Sequence, residues 1–329
     1  MTSASTESTE NMSSFIELRK RLDSLMVGQS ETVISLLVGL LADGHVLLEG
    51  APGLAKTRLA RLLSQAMEGE FNRIQFTPDL LPSDLTGSAI YDSREHRFDF
   101  QAGPIFGNFI LADEINRAPS KVQSALLEAM EERQVTSGTT TYKLESPFFV
   151  IATQNPIEHE GTWDLPQAQL DRFLLHITVG YPDLETERQI FDLVMEEAVS
   201  AYTPAEKPTP IAKSALADAR RAVLDVHISE PIRSYIVRLI GGTRGHPQEL
   251  PGVGEHLSHP VSPRGSAALG RTAQARAWLM ERDHVLPEDV YALAPNVLRH
   301  RIGLNYRAEA DGVTANQVVD SLLEQVHVA

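Results

Sequence analysis

Eight residues, Gly50-Ala51-Pro52-Gly53-Leu54-Ala55-Lys56-Thr57, sit between an apolar run from His45 to Glu49 and a helical pattern that begins near Thr57. Strand, small-residue loop and helix in that order form a phosphate cradle. The small residues let backbone N–H groups approach phosphate oxygens, Lys56 adds a point charge at the β/γ phosphates, and the Thr57 hydroxyl is a ligand for Mg²⁺. The general pattern asks for glycine where Ala55 stands, so a chance turn of small residues is the alternative and other motifs must decide.

Three more segments follow in order. Phe109 to Ala112 is a buried-strand pattern ending in two acids, Asp113 and Glu114. There the first carboxylate is suited to hold Mg²⁺ and the second to polarise an attacking water; an ordinary acidic strand end is the bland reading. Pro147 to Ala152 is another apolar run, leading into Thr153-Gln154-Asn155-Pro156. It puts the Asn155 amide at a strand end where it could sense a γ-phosphate, against a turn role before proline. Gln169-Leu170-Asp171-Arg172-Phe173 then offers an arginine at the edge of the domain, and Ser262-Pro263-Arg264 opens a late helix. With Ser262 as N-cap and Pro263 as first helical residue, Arg264 falls in the first turn, where the helix dipole disfavours a cation and an anionic partner would compensate it.

GAPGLAKT, FILADEINRAP, SALLEAMEERQV, ATQNP, LPQAQLDRF and SPR in this order resemble the MoxR family of AAA+ ATPases, over nearly the whole chain from about Phe15. Gly103 to Gly107 also resembles a signature of that family, whose members typically carry alanine at the position of Ala55. The resemblance implies an AAA+ P-loop parallel-sheet α/β domain with a helical lid, and ATP and Mg²⁺ as cofactors. Gly50, Ala51, Pro52, Gly53, Leu54, Ala55, Lys56, Thr57 and Arg58 would contact nucleotide. Thr57 and Asp113 would hold the metal, and Glu114 the water. Asn155 would be the first sensor, Arg172 an arginine finger reaching a neighbouring subunit, and Arg264 the second sensor. Departures from the family pattern are His159, Trp163 and Gln167, together with a longer stretch from Gly241 to Pro260.

A chain of 329 residues suggests about two domains. The boundaries read as a disordered Ser/Thr/Glu-rich tail over 1–12, an α/β core over 13–182, and a helical lid over 183–329. The longest apolar run, Val33 to Ala42, reads as a buried helix face, far short of the roughly 18 residues a membrane helix needs. With no basic, apolar leader the expected location is cytoplasmic. The absence of cysteine removes disulfides and thiolate chemistry. A net charge of −15 argues against nucleic acid as a partner, because phosphate neutralisation needs a basic surface. Arg19-Lys20-Arg21 reads as a solvated face of an N-terminal helix with Phe15, Leu18, Leu22 and Leu25 inward.

That helix stops at Val27-Gly28-Gln29, which is expected to line the adenine. Alternating elements then argue for a parallel sheet with ligand at the strand C-terminal ends, with strands near 46–49, 72–76, 108–112, 148–153 and 173–178. Between the second and third, Thr77 to Gly107 contains a hairpin around Ile90 to Phe98, resembling the helix-2 insert of this branch. Gln134 to Lys143 is a second hairpin with Gly138 at its tip. Beyond Tyr181-Pro182 strands give way to helices near 212–226, 230–242, 264–282 and 287–298, with Pro204 to Pro210 as a linker. Lys56 on the sheet and Arg264 on the lid would put nucleotide at the domain junction. The histidines and acids of 245–259 lack metal-ligand spacing and read as a solvated loop.

The resemblance implies a ring, expected to be hexameric, that spends ATP on chaperone-like work on a client or adaptor protein, often one with a von Willebrand factor A domain. A chelatase-like motor subunit, a helicase-like nucleic-acid motor and a switch that rarely hydrolyses are the rivals. A GTP-specific reading fails for want of an Asn-Lys-x-Asp motif.

Overall fold

The computed structural model describes residues 2–156, 161–200, 209–245 and 253–328. Helices α1 (Thr2–Leu25) and α2 (Ser30–Leu41) lead into strand β1 (Val46–Gly50) and helix α3 (Lys56–Gln65). Strand β2 (Phe71–Gln75), the short helix α4 (Pro82–Thr86) and the hairpin β3 (Gly87–Asp92) with β4 (Arg97–Ala102) follow. Strand β5 (Phe109–Asp113), helix α5 (Ser120–Glu132), the hairpin β6 (Gln134–Ser137) with β7 (Thr140–Lys143), and β8 (Phe149–Gln154) come next. Helix α6 (Gln167–Leu170) and β9 (Leu175–Val179) complete the α/β core. The lid comprises α7 (Leu184–Ser200), α8 (Lys213–Leu224), α9 (Glu230–Gly242), β10 (Leu257–His259), α10 (Pro263–Leu279), α11 (Pro287–Leu298), β11 (Gly303–Leu304), α12 (Tyr306–Ala310) and α13 (Ala315–Gln325).

The five core strands form one parallel sheet in the order β2-β5-β8-β1-β9. The near-continuous apolar runs of the central strands β5 and β8 follow from burial on both faces, whereas the edge strand β2 is mixed. Side chains alternate across the sheet, so Val46, Leu48, Leu111 and Ile151 enter one apolar core while Leu47, Ile110, Val150 and Ala152 enter the other. The first core continues through α1 and α2 into the lid, where Phe15 meets Trp278 edge-on with ring centroids 5.8 Å apart.

Helix α1 is drawn from Thr2 to Leu25. Two expectations are corrected. Arg19 is not simply solvated: its guanidinium donates to the Leu279 carbonyl at 3.4 Å and approaches the Met280 sulfur. Strands do not disappear beyond Pro182, since β10 and β11 pair antiparallel. The linker segment 201–208 lies outside the described residues, as does part of the long loop, at 246–252.

The two inserted hairpins touch. Phe100 of β4 stacks on Tyr142 of β7 with ring centroids 4.0 Å apart and planes 13° from parallel. At the tip of the second hairpin Gly138 has φ +62°, the left-handed turn geometry that favours glycine.

Beneath the sheet, His45 is fully buried. Its Nε2–H donates to the Met130 carbonyl at 3.1 Å, and its Nδ1 accepts the Val150 N–H at 3.1 Å. Burial pushes its pKa from 6.5 down to about 4, so the folded protein keeps the ring neutral where the unfolded chain protonates it. Between those values the unfolded state binds more protons, so stability is fully present above pH 6.5 and is lost as pH falls toward 4. Lowering the pH from 7 to 5 is expected to remove roughly 2 kcal/mol through His45 alone. Denaturant titrations at the two pH values check this, and an unchanged midpoint contradicts it.

Candidate active site

The loop after β1 owes its shape to close backbone approaches. A Cβ on Gly50 would lie 2.6 Å from the Val179 carbonyl oxygen, so only glycine fits there, while Gly53 turns with φ +85°. Ala55 is held left-handed at φ 56°, ψ 20°, which explains why the general pattern favours glycine at this position. No side chain caps the N-terminus of α3, whose first-turn N–H groups face the loop interior together with Lys56 and Thr57. Lys56 Nζ donates to the carbonyls of Gly50 and Ala51. Burial lowers the Lys56 pKa, and the nearby Asp113, Glu114 and Glu49 carboxylates oppose that shift.

Asp113 ends β5 beside the loop. Its Oδ2 accepts from the Thr57 hydroxyl at 3.3 Å, and from Arg73 Nε at 3.0 Å and Nη2 at 2.7 Å. Its Oδ1 accepts from the buried Thr153 hydroxyl at 2.6 Å. Glu114 adopts φ 58°, a left-handed turn that swings its carboxylate off the strand line. Its N–H donates to the Thr153 hydroxyl at 2.9 Å, and its Oε2 accepts from Gln75 Nε2 at 2.8 Å. Asn155 is buried at the end of β8, its carbonyl accepting from Asn116 Nδ2 at 3.3 Å.

A cavity of about 320 Å³ joins Pro52 to Thr57 with Arg73, Gln75, Asp113, Glu114, Thr153, Gln154 and Asn155. It unites the expected loop, metal, water and sensor residues. Arg73, Gln75 and Thr153 were not among the expected residues. The alternation of polar Arg73 and Gln75 on edge strand β2 was their available signal. Among the described residues no three His, Asp or Glu side chains cluster as a metal cage. The adjacent oxygens of Thr57 and Asp113 instead suit a hard cation carried in on phosphate.

Three residues expected to contact nucleotide do not line this cavity. Arg58 points away from the cavity and makes a bidentate pair with Glu197 of α7, because its place on α3 faces the lid. Gly28, at φ +74°, packs against Thr186 of α7, where a Cβ would come 2.3 Å from the methyl group. Gln29 reaches the back of the loop, donating to the Leu54 carbonyl at 3.4 Å.

Arg172 and Arg264 are not at this cavity either. Arg172 precedes β9 and so lies at the N-terminal ends of the strands, whereas Lys56 follows their C-terminal ends. A five-residue strand spans roughly 16 Å. The expected placement of Arg264 over the chain's own loop is therefore corrected. It shares Glu131 with Arg172, at 2.8 Å and 2.9 Å respectively. Ser262 does precede the helix but its hydroxyl donates to Asp171 Oδ2 at 3.4 Å instead of capping. This second cavity, also about 320 Å³, is lined by Arg133, Arg172, Arg264, Arg271 and Arg301 with Asp43, Glu131 and Asp171.

Of the departures noted in the sequence, His159 lies outside the described residues. Trp163 donates its N–H to the Asn116 carbonyl at 2.7 Å, and Gln167 reaches the His300 carbonyl at 3.4 Å. Neither side chain lines the cavity, and the Trp163 bond is made by its backbone. In the long loop, His256 is half-buried and His259 exposed.

A phosphate loop, an acid-ended strand and a polar strand end converging on one cavity of a parallel sheet, with a helical lid, define an AAA+ ATPase. Residues 45–175 match the family model described as "ATPase family associated with various cellular activities (AAA)", and residues 253–322 match an AAA lid domain. The chain is 44% identical over 304 residues to the chaperone MoxR1 of Mycobacterium tuberculosis, covering 92% of this chain and 79% of that one. It is 46% identical over 310 residues to the uncharacterized protein YeaC of Bacillus subtilis, covering 94% and 93%. A crystallised Cytophaga hutchinsonii protein superposes with a TM-score of 0.88 at 42% identity, over 99% of this chain and 98% of that one. The chain belongs to the MoxR family of AAA+ ATPases and is an ATP hydrolase. Among the described residues no helix is long and apolar enough to cross a membrane.

Proposed function

We propose that the chain binds Mg²⁺-ATP at its loop cavity, completes each active site with arginines from a neighbouring copy in a closed ring, and spends hydrolysis on remodelling a partner protein. One observation carries the assembly: Arg172 and Arg264 face away from Lys56 of their own chain, so a finger role requires a second copy. The family resemblance supports a hexamer as the size of that ring. Thr57 and Asp113 hold the cation, which when bound neutralises phosphate charge. Lys56 contacts the β/γ phosphates, Glu114 takes a proton from the attacking water, and Asn155 orients that water. Thr153 and Gln75 fix the acids.

The chaperone role is supported by likeness to MoxR1 and by the protruding hairpins β3–β4 and β6–β7, whose Tyr91 and Phe98 are exposed. The partner is a protein client or adaptor, and in the family often carries a von Willebrand factor A domain. Nucleic acid is disfavoured by the charge of −15. ATP turnover is expected to respond to the partner and ignore DNA. Shortening the β6–β7 tip at Gly138, where nothing packs within 4 Å, is expected to leave ATP binding intact while abolishing partner remodelling. Stimulation by DNA that falls steeply with added salt would instead identify a nucleic-acid motor.

A further inference from the structure

We infer that Glu131 is a positioning residue that gathers Arg172 of the core and Arg264 of the lid into one unit and presents both to the neighbouring subunit's nucleotide. The inference rests on the trans-acting reading of those arginines. Glu131 stands one residue from the end of α5, and its two carboxylate oxygens are divided between the partners: Oε2 takes Arg172 Nε, and Oε1 takes Arg264 Nη2. Arg172 meets the carboxylate through Nε at 2.9 Å, and its guanidinium carries further N–H donors suited to a phosphate.

The surroundings make such a clamp necessary. Like charges crowd this cavity, and the other acids there are already engaged. Asp171 Oδ1 accepts from buried Arg301 at 2.7 Å, and Asp43 pairs with Arg133 at 2.9 Å and Arg220 at 2.6 Å. Glu131 is thus the acid that meets both neighbour-facing arginines, which sit on elements far apart in sequence. Without it their mutual repulsion and long, flexible stems would let them separate. The pair is partly exposed, the Glu131 side chain at 34% and Arg264 at 61%, so it contributes little to folding stability. A variant should therefore fold, and its defect should appear in turnover.

Glu131→Gln is expected to lower kcat about tenfold while leaving KM for ATP and ring assembly unchanged, with Glu131→Asp retaining most of the rate. Mixed assemblies supply the readout that a structural role would not move. Glu131→Gln subunits mixed with Glu114→Gln subunits should regain turnover. Where they adjoin, the intact loop and Glu114 of the first receive correctly held arginines from the second. Arg172→Ala mixed with Glu114→Gln is the control. If that control fails to regain turnover, the trans reading falls. If it recovers while Glu131→Gln alone runs at or above the native rate, the clamp is wrong and the trans reading stands. Recovery in the control but not in the Glu131→Gln mixture would make Glu131 act within its own subunit and would equally overturn the inference. Should Glu131→Gln not fold, Glu131→Ala, which also removes the carboxylate and carries the same expected loss, gives the same decision in the same mixtures.

Discussion

Glu114→Gln is expected to bind ATP with native affinity and hydrolyse it slower by a factor on the order of 10² or more, whereas Lys56→Ala is expected to lose ATP binding. The two differ because of where their charge acts. Lys56 stands at the mouth of α3, where in the proposed mechanism the uncapped N–H groups and its ammonium would meet ground-state phosphate oxygens. Glu114 would meet the water. The amide replacement keeps its shape and its reach to Gln75 but cannot accept a proton. Turnover and equilibrium nucleotide binding, measured separately on both variants, decide the matter. A Glu114→Gln protein at the native rate would mean that another residue serves as the base.

Arg172→Ala is expected to bind ATP normally and to lose nearly all hydrolysis, on the order of 10³-fold for a finger that meets transition-state charge. Because Arg172 lies at the strand ends opposite the loop, its loss is expected to be felt on a neighbour's nucleotide. Mixed with Glu114→Gln protein, itself inactive, the variant should therefore regain turnover at its own intact loops. A mixture that stays inactive would assign Arg172 a role inside its own chain.

The central strands were legible because parallel strands buried on both faces must be apolar throughout, as in the Phe109 to Ala112 run. The phosphate loop and the Asp113-Glu114 pair were legible because their chemistry is written in adjacent residues. Arg73, Gln75 and Thr153 were not, since only the parallel pairing of β2, β5 and β8 brings them beside Asp113. Arg264 shows both limits. Its helix start at Ser262-Pro263 and its need for an anion could be read locally, but Glu131 as that anion depends on how the lid sits against α5. Helix α7 was not singled out, because Leu184, Phe191 and Met195 lie exposed and blur the inward stripe. Strands β10 and β11, of three and two residues, are too short to show a period.

The stacked rings of Phe100 and Tyr142 set how the two hairpins share load. An aromatic pair adds about 1 kcal/mol beyond its buried area, which favours contact over separation roughly fivefold. That is a clutch and not a weld. A gentle displacement of β3–β4 is expected to carry β6–β7 with it and, through the chain that follows β7, to reach β8, just ahead of Asn155. A pull of several kcal/mol is expected to slip the rings and spare the catalytic end of the sheet.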